Sequence, residues 1–204
     1  MLLDIHTHKP APYPDGIVSI DNLEAPLLDG QLYSVGIHPW NTAEMPTQET
    51  WNRLEALASD PRVAAIGECG VDLLKGGQLF RQLQILKRQI EISEKAGKPL
   101  ILHCVKGADI ILGLKRDFNP VQAWIIHGFR GNPRLGRQLT DKGLFLSFGE
   151  KFNAETVAET PADRLLAETD ESMLSIAEII GRLSVAANRD VMEAVRANME
   201  SLIR

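Results

Sequence analysis

The feature that most narrows what this chain can fold into is a series of eight short apolar runs, at residues 2–5, 16–20, 32–37, 63–66, 100–102, 123–126, 144–148 and 165–167. Near-continuous apolar runs, as opposed to alternating ones, suit strands buried on both faces, and helix-like stretches after most of them supply the crossovers of a parallel sheet. The clearest helix is expected at about 78–96, where Leu79, Leu83, Leu86 and Ile90 recur on one face and Gly97 and Pro99 follow as a stop. Asn132 before Pro133 reads as an N-cap followed by proline at the first helical position, with Leu135 and Leu139 inward and Gly143 at the exit. Further helices are expected at 47–59, at 109–114 and twice after Asp170, the first of that pair opened by a capping box of Ser175 and Glu178.

Eight strands alternating with helices make an α/β fold, a (β/α)8 TIM-type barrel, whose usual size is about 250 residues with a lower bound near 200. At 204 residues this barrel must be trimmed. The shortened crossover falls after the second strand, because residues 21–31 contain Pro26 and Gly30 and leave no room for a full helix. An open α/β sheet is the alternative. With 44% hydrophobic and 24% charged residues, and no repeat or linker, residues 1–204 read as a single domain with one core.

A net charge of −5 excludes the overall basic footprint of a bulk nucleic-acid binder, so any polyanion must be held locally. No run approaches the roughly 18 apolar residues of a membrane span, and the opening segment has neither the basic nor the long apolar part of a signal peptide. No membrane association, no obligate protein partner and a cytoplasmic location are therefore expected. Cys69 and Cys104, the only cysteines, make no disulfide framework and fit a reducing compartment.

All five histidines, His6, His8, His38, His103 and His127, stand at or just beyond the C-terminal end of an apolar run. In a barrel, residues at those ends converge on one face. His6 and His8 are two apart on a strand, so their side chains leave the same side and can grip one ion. Glu68 and Asp170 follow the fourth and eighth runs, and a carboxylate so placed needs hydrogen bonds, neutralisation or a cation. Taken singly, His103 or His127 reads as a hydrogen-bonded core histidine. Two acids among four histidines point instead to metal. His38 stands apart from that set and either binds substrate or fixes its loop.

Asp4-Ile5-His6-Thr7-His8, Gly36-Ile37-His38-Pro39, Gly67-Glu68-Cys69-Gly70-Val71-Asp72, Pro99 to His103, Ile126-His127-Gly128-Phe129 with Gly131, and Glu168-Thr169-Asp170 occur in order along nearly the whole chain. Together they resemble the TatD family of metal-dependent hydrolases, a branch of the amidohydrolase-type barrels. The resemblance implies one divalent ion on His6, His8 and Asp170, a second on His103 and His127, and Glu68 bridging the two. It also implies cleavage of phosphodiesters in DNA or a small phosphoester. Three departures stand out: Val105 where the family has arginine, Ser172 where it has proline, and the short chain. The missing arginine is a natural phosphate contact, and Lys106 or Arg130 could replace it.

Two such ions, whether zinc, manganese, nickel or magnesium, would activate a water for hydrolysis and give the site a local positive charge of about two. Asp170 is expected to accept that water's proton, which makes Asp170 and Glu68 the catalytic carboxylates. Asp72, His38, Lys106 and Arg130 are expected either to contact substrate or to support the ligands from behind. An amidase or lactonase would need the same water, and an idle barrel that acts as a binding protein is the alternative from another class. Cys69 and Cys104, each beside a ligand, are expected to face away and pack as small apolar residues.

Overall fold

In the computed structural model, which describes residues 1–203, the apolar runs become eight parallel strands that pair in chain order and close on themselves. The elements are β1 (Asp4–Thr7), β2 (Gly16–Ile20), β3 (Leu32–Val35), α1 (Gln48–Ala58), β4 (Val63–Asp72), α2 (Leu79–Ala96), β5 (Leu100–Val105) and α3 (Ala108–Phe118). They continue with β6 (Trp124–Ile126), α4 (Pro133–Thr140), β7 (Phe145–Phe148), α5 (Ala154–Glu159), β8 (Leu165–Ala167), α6 (Ile176–Ala187) and α7 (Met192–Leu202). Ile5, Ile17, Val35, Ile66, Leu100, Leu102, Trp124, Leu146 and Leu165 are wholly shielded from solvent. Strands enclosed by helices outside and by packed side chains inside need apolar residues on both faces, hence the unbroken runs.

The open sheet is overturned by the closing pair: β1 lies parallel to β8 with Asp4 opposite Ala167, and Thr7 bridges Asp170 just beyond. As expected, no helix joins β2 to β3; the link from β1 to β2 lacks one too, so the trimming is wider than residues 21–31. The capping box of Ser175 and Glu178 opens α6, and Asn132 accepts a hydrogen bond from the Leu135 N–H at the start of α4. The six-residue α5 went unanticipated because so short a segment shows no period. No helix among the described residues is long and apolar enough to cross a membrane.

On α2 the inward stripe differs from the expected one. Leu79 is exposed, and the buried positions are Gln82, Ile85, Leu86, Gln89, Ile90, Ile92 and Ser93. The two glutamines take core positions because each holds a loop at the barrel mouth. Gln89 accepts the Ile37 N–H at 2.7 Å and donates to the Ile37 carbonyl at 3.1 Å. Gln82 accepts the Asp72 N–H at 2.8 Å and donates to the Asp72 and Gly77 carbonyls.

β4 carries an irregularity that aims the site. Ile66 is opposite Leu100 and Cys69 opposite Leu102, so three steps of β4 pass two of β5, and Gly67 and Glu68 fall in a bulge. Glycine is required within it and just beyond it. Gly67 has φ of 144°, and a Cβ there would sit 2.5 Å from the Ile101 carbonyl oxygen. Gly70 has φ of 140°, and its Cβ would sit 2.0 Å from the His103 oxygen.

Candidate metal centre

The bulge turns Glu68, 5% exposed, into the C-terminal mouth of the barrel, where its two oxygens face different sets of histidines. Oε1 lies 2.7 Å from His127 Nε2, 2.8 Å from His103 Nδ1 and 3.0 Å from His38 Nε2. Oε2 lies 3.4 Å from His6 Nε2 and 3.5 Å from His8 Nε2. Asp170 completes the second set, with Oδ1 3.9 Å from His6 Nε2 and 3.8 Å from His8 Nε2. Its backbone carries it there, since the Asp170 N–H donates to the His6 carbonyl and the His8 N–H to the Asp170 carbonyl.

Behind these groups stands a layer of buried partners. Glu168 Oε1 accepts the Gly128 N–H at 2.6 Å and lies 3.5 Å from His127 Nδ1. Asp72 Oδ2 lies 3.2 Å from His103 Nε2 and accepts the Trp40 Nε1–H at 2.7 Å, while Oδ1 accepts the Leu74 and Lys75 N–H groups. His38 Nδ1 accepts the Trp40 N–H at 3.1 Å, which leaves Nε2 as the nitrogen turned to Glu68. Asp4 accepts from the Thr169 N–H at 2.9 Å, the Thr169 hydroxyl at 2.6 Å and the His6 N–H at 3.3 Å. Such partners fix the orientation of metal-binding side chains.

The electrostatics follow from this crowding. Burial alone would raise the Glu68 carboxyl, but His127, His103 and His38 outweigh it and hold the group well below the usual carboxylate range. Burial works against a charged His127, yet Glu68 and Glu168 push it well above the ordinary imidazole value; the hydrogen bond to Glu68 raises His8 similarly. Asp170 is raised by burial and then by Glu168, and Asp4 is pushed up to about 7, chiefly by burial.

The donor set fits divalent metal. Both ring nitrogens of fully buried His6 lack a hydrogen-bond partner, as do His127 Nδ1 and Glu168 Oε2. Unpaired buried polar atoms are costly. Separations of 3.4 to 3.9 Å around His6 are long for hydrogen bonds. They are close to the roughly 3.4 Å between two ligands bound at about 2.1 Å in a tetrahedron. Two groups offer donor atoms lying within 4.8 Å of one another: His6, His8 and Glu68, and His38, Glu68 and His103.

The mouth thus gathers His6, His8, Glu68, His103, His127 and Asp170, and it also takes in His38, which sequence reasoning set apart. Asp72 is buried at 3% exposure and bonded to His103, behind that ring. Lys106 is exposed on the loop after β5 and has no ion pair or hydrogen bond among the described residues. Arg130 is exposed and lines a cavity of about 230 Å³ with Asp170 and Ser172. Cys69 is fully buried with Sγ 3.6 Å from the Ile101 oxygen, and burial drives its thiol far up; Cys104, partly buried, is pushed up to about 11. Sequence reasoning missed Glu168, Trp40, Gln82 and Gln89. Glutamines seven apart on an apolar helix stripe were the available signal.

A closed parallel barrel with histidines and carboxylates converging at the C-terminal ends of its strands defines a class of metal-dependent hydrolase folds. Within that class, the chain belongs to the TatD related DNase family, which it matches over residues 20–202, a span that begins after His6 and His8. It is 29% identical over 161 residues to the uncharacterized metal-dependent hydrolase TatD of Mycobacterium tuberculosis, covering 72% of this chain and 61% of that protein. It is 31% identical over 156 residues to the 3'-5' ssDNA/RNA exonuclease TatD of Cronobacter turicensis, covering 69% and 57%. The chain thus spans about three fifths of the length of these curated relatives. The solved structure of YjjV, a TatD homolog from Escherichia coli k12, superposes with a TM-score of 0.84 at 20% identity over 99% of this chain and 97% of that one, which shows the shared fold.

Proposed function

We propose that this chain is a metal-dependent hydrolase that cleaves phosphodiester bonds in DNA or a small phosphoester, its residues forming one catalytic domain. The observation that supports this most is the division of nitrogen donors between the two oxygens of Glu68, three on Oε1 and two on Oε2. In this reading His6, His8 and Asp170 hold one divalent ion, His103 and His127 hold the other with His38 beside them, and Glu68 joins the two sets. Two divalent ions supply an activated water at neutral pH and stabilise the oxyanions of an in-line displacement.

The chain's own side chains do the rest. Asp170 Oδ1 faces the His6 and His8 nitrogens while its side chain keeps 31% of its exposure, so it borders both the donors and solvent. That position, beside the donors and open to solvent, suits it to take the proton of the attacking water. Asp72 holds His103 through the ring nitrogen turned away from Glu68 Oε1, and Glu168 places its charge beside the corresponding nitrogen of His127. Arg130, which shares the cavity beside Asp170 with Lys151, is a cation placed to meet a phosphate in the absence of an arginine at position 105.

Elemental analysis of the purified protein, coupled to hydrolysis of single-stranded DNA, bis(4-nitrophenyl) phosphate, an amide and a lactone, tests this reading. About two divalent ions per chain with activity confined to the phosphodiesters is the expected result. Activity confined to the amide or lactone would replace the substrate class, and an inactive, metal-free protein would reject the proposal.

A further inference from the structure

Trp40 is a large aromatic side chain left 48% exposed at the rim of the site, although Trp51 and Trp124 are buried. It is also held rigidly. Its indole N–H is bound to Asp72 Oδ2 at 2.7 Å, its backbone N–H to His38 Nδ1, and its ring meets those of His38 and His103 at centroid distances of 4.8 and 5.7 Å. A ring already locked in one orientation loses little freedom when something packs on it.

The Lys75 ammonium already lies over one face of the ring, 4.1 Å from its centroid, so an incoming group must displace it or take the other face. What would pack there is indicated by the cleft of about 720 Å³ that Trp40 lines between the loops after β2 and β3. Asp21, Glu24, Glu44 and Glu49 also line the cleft, with Arg53 as its cation, itself 3.6 Å from Glu24. Such a lining repels phosphate and accepts an uncharged group with N–H donors. A flat heterocycle attached to a phosphodiester satisfies both conditions, with its phosphate at the histidines and its ring on the indole.

We propose that Trp40 is a specificity-determining platform on which a nucleobase flanking the scissile phosphate stacks, its outer edge entering the acidic cleft. This rests on the phosphodiesterase reading above and names the residue that would read the group next to the scissile phosphate. Base stacking on an aromatic side chain is worth about 1–3 kcal/mol per base, or roughly 5- to 150-fold in binding.

Deoxyadenylyl-deoxyadenosine, which has a single phosphodiester, is compared with its two singly abasic forms and its doubly abasic form. The expected result is a KM for the full dinucleotide at least about 5-fold below that of the doubly abasic one. That ratio should persist in Trp40→Phe, which keeps a ring but loses the bond to Asp72, and collapse toward one in Trp40→Leu. A wild-type ratio near one, or a ratio unchanged in Trp40→Leu, overturns the proposal. A merely structural Trp40 would lower turnover of all four compounds alike in both variants and leave the ratio intact.

The second readout needs no turnover. Trp40 is the exposed one of three tryptophans, so deoxyadenosine monophosphate should quench the wild-type emission where deoxyribose 5-phosphate does not. The effect should vanish in Trp40→Phe. Equal responses to the two compounds overturn the inference. A wild type that hydrolyses none of the dinucleotides defeats the phosphodiesterase reading, and the emission comparison then decides the stacking inference alone.

Discussion

Nδ1 of His127 faces Oε1 of Glu168 at 3.5 Å, on the side of the ring away from Glu68. Glu168 has no exposure, and the same oxygen accepts the Gly128 N–H, so one carboxylate bonds the backbone after His127 and sets a charge beside its ring. Glu168→Ala should lower metal affinity and hydrolysis by about 10- to 100-fold, the usual effect of removing an outer partner of a metal-binding histidine. Glu168→Gln should recover part of the loss. Calorimetric metal titration checks both, and unchanged affinity in the alanine variant would contradict the role.

Glu68→Gln keeps the volume of the side chain and removes the charge shared by both histidine sets. Metal content should fall toward zero and hydrolysis by more than about 100-fold, beyond what outer-partner changes produce. Chelation of the wild type should give the same loss, reversed by added metal, while circular dichroism stays unchanged. Retention of two ions by Glu68→Gln would exclude a bridging role.

Gln89 acts at a distance from the chemistry. Gln89→Leu fits the apolar stripe of α2 but leaves the Ile37 N–H and carbonyl without their partners. Each unmet buried group costs about 1–3 kcal/mol. A fall in the urea midpoint together with weakened metal binding is expected, because Ile37 precedes His38. A variant as stable as the wild type would show that the loop finds other partners.

Asp60 and Arg62 give the chain a pH signature remote from the site. Both Asp60 oxygens take hydrogen bonds from the Arg62 guanidinium, at 3.0 and 2.7 Å, and these bonds hold the carboxyl at about 2. The unfolded carboxyl titrates near 3.9, so the folded state binds this proton more weakly. The pair's stabilisation is complete above about pH 4 and is lost as pH falls through about 2. Because the pair is partly solvated, Asp60→Asn should lower Tm at neutral pH by only about 1–3 °C and flatten the melting-temperature curve between those limits. An unaltered curve would remove the assignment.

Much of this arrangement is legible in the residue order, because burial on both faces forces unbroken apolar runs and a barrel places every strand end on one rim. His6, His8, Glu68, His103, His127 and Asp170 could be singled out on that ground alone. His38 was set apart although it directly follows its apolar run; the strand itself ends three residues earlier, and nothing local shows that the loop bends back toward Glu68. Glu168 and Asp72 belong to recognisable motifs, yet their roles depend on which ring nitrogen they face. The inward set of α2 was misjudged at Leu79 because hydrophobicity was the only criterion, and the buried glutamines answer to backbone partners in distant loops.

The seam where β1 meets β8 joins residues some 165 positions apart through Asp4 and Thr169. A growing chain therefore carries His6 and His8 long before Asp170 exists to stand beside them. Metal held jointly by these three would be taken up only after the circle closes. Loading would then report closure of the ring of strands.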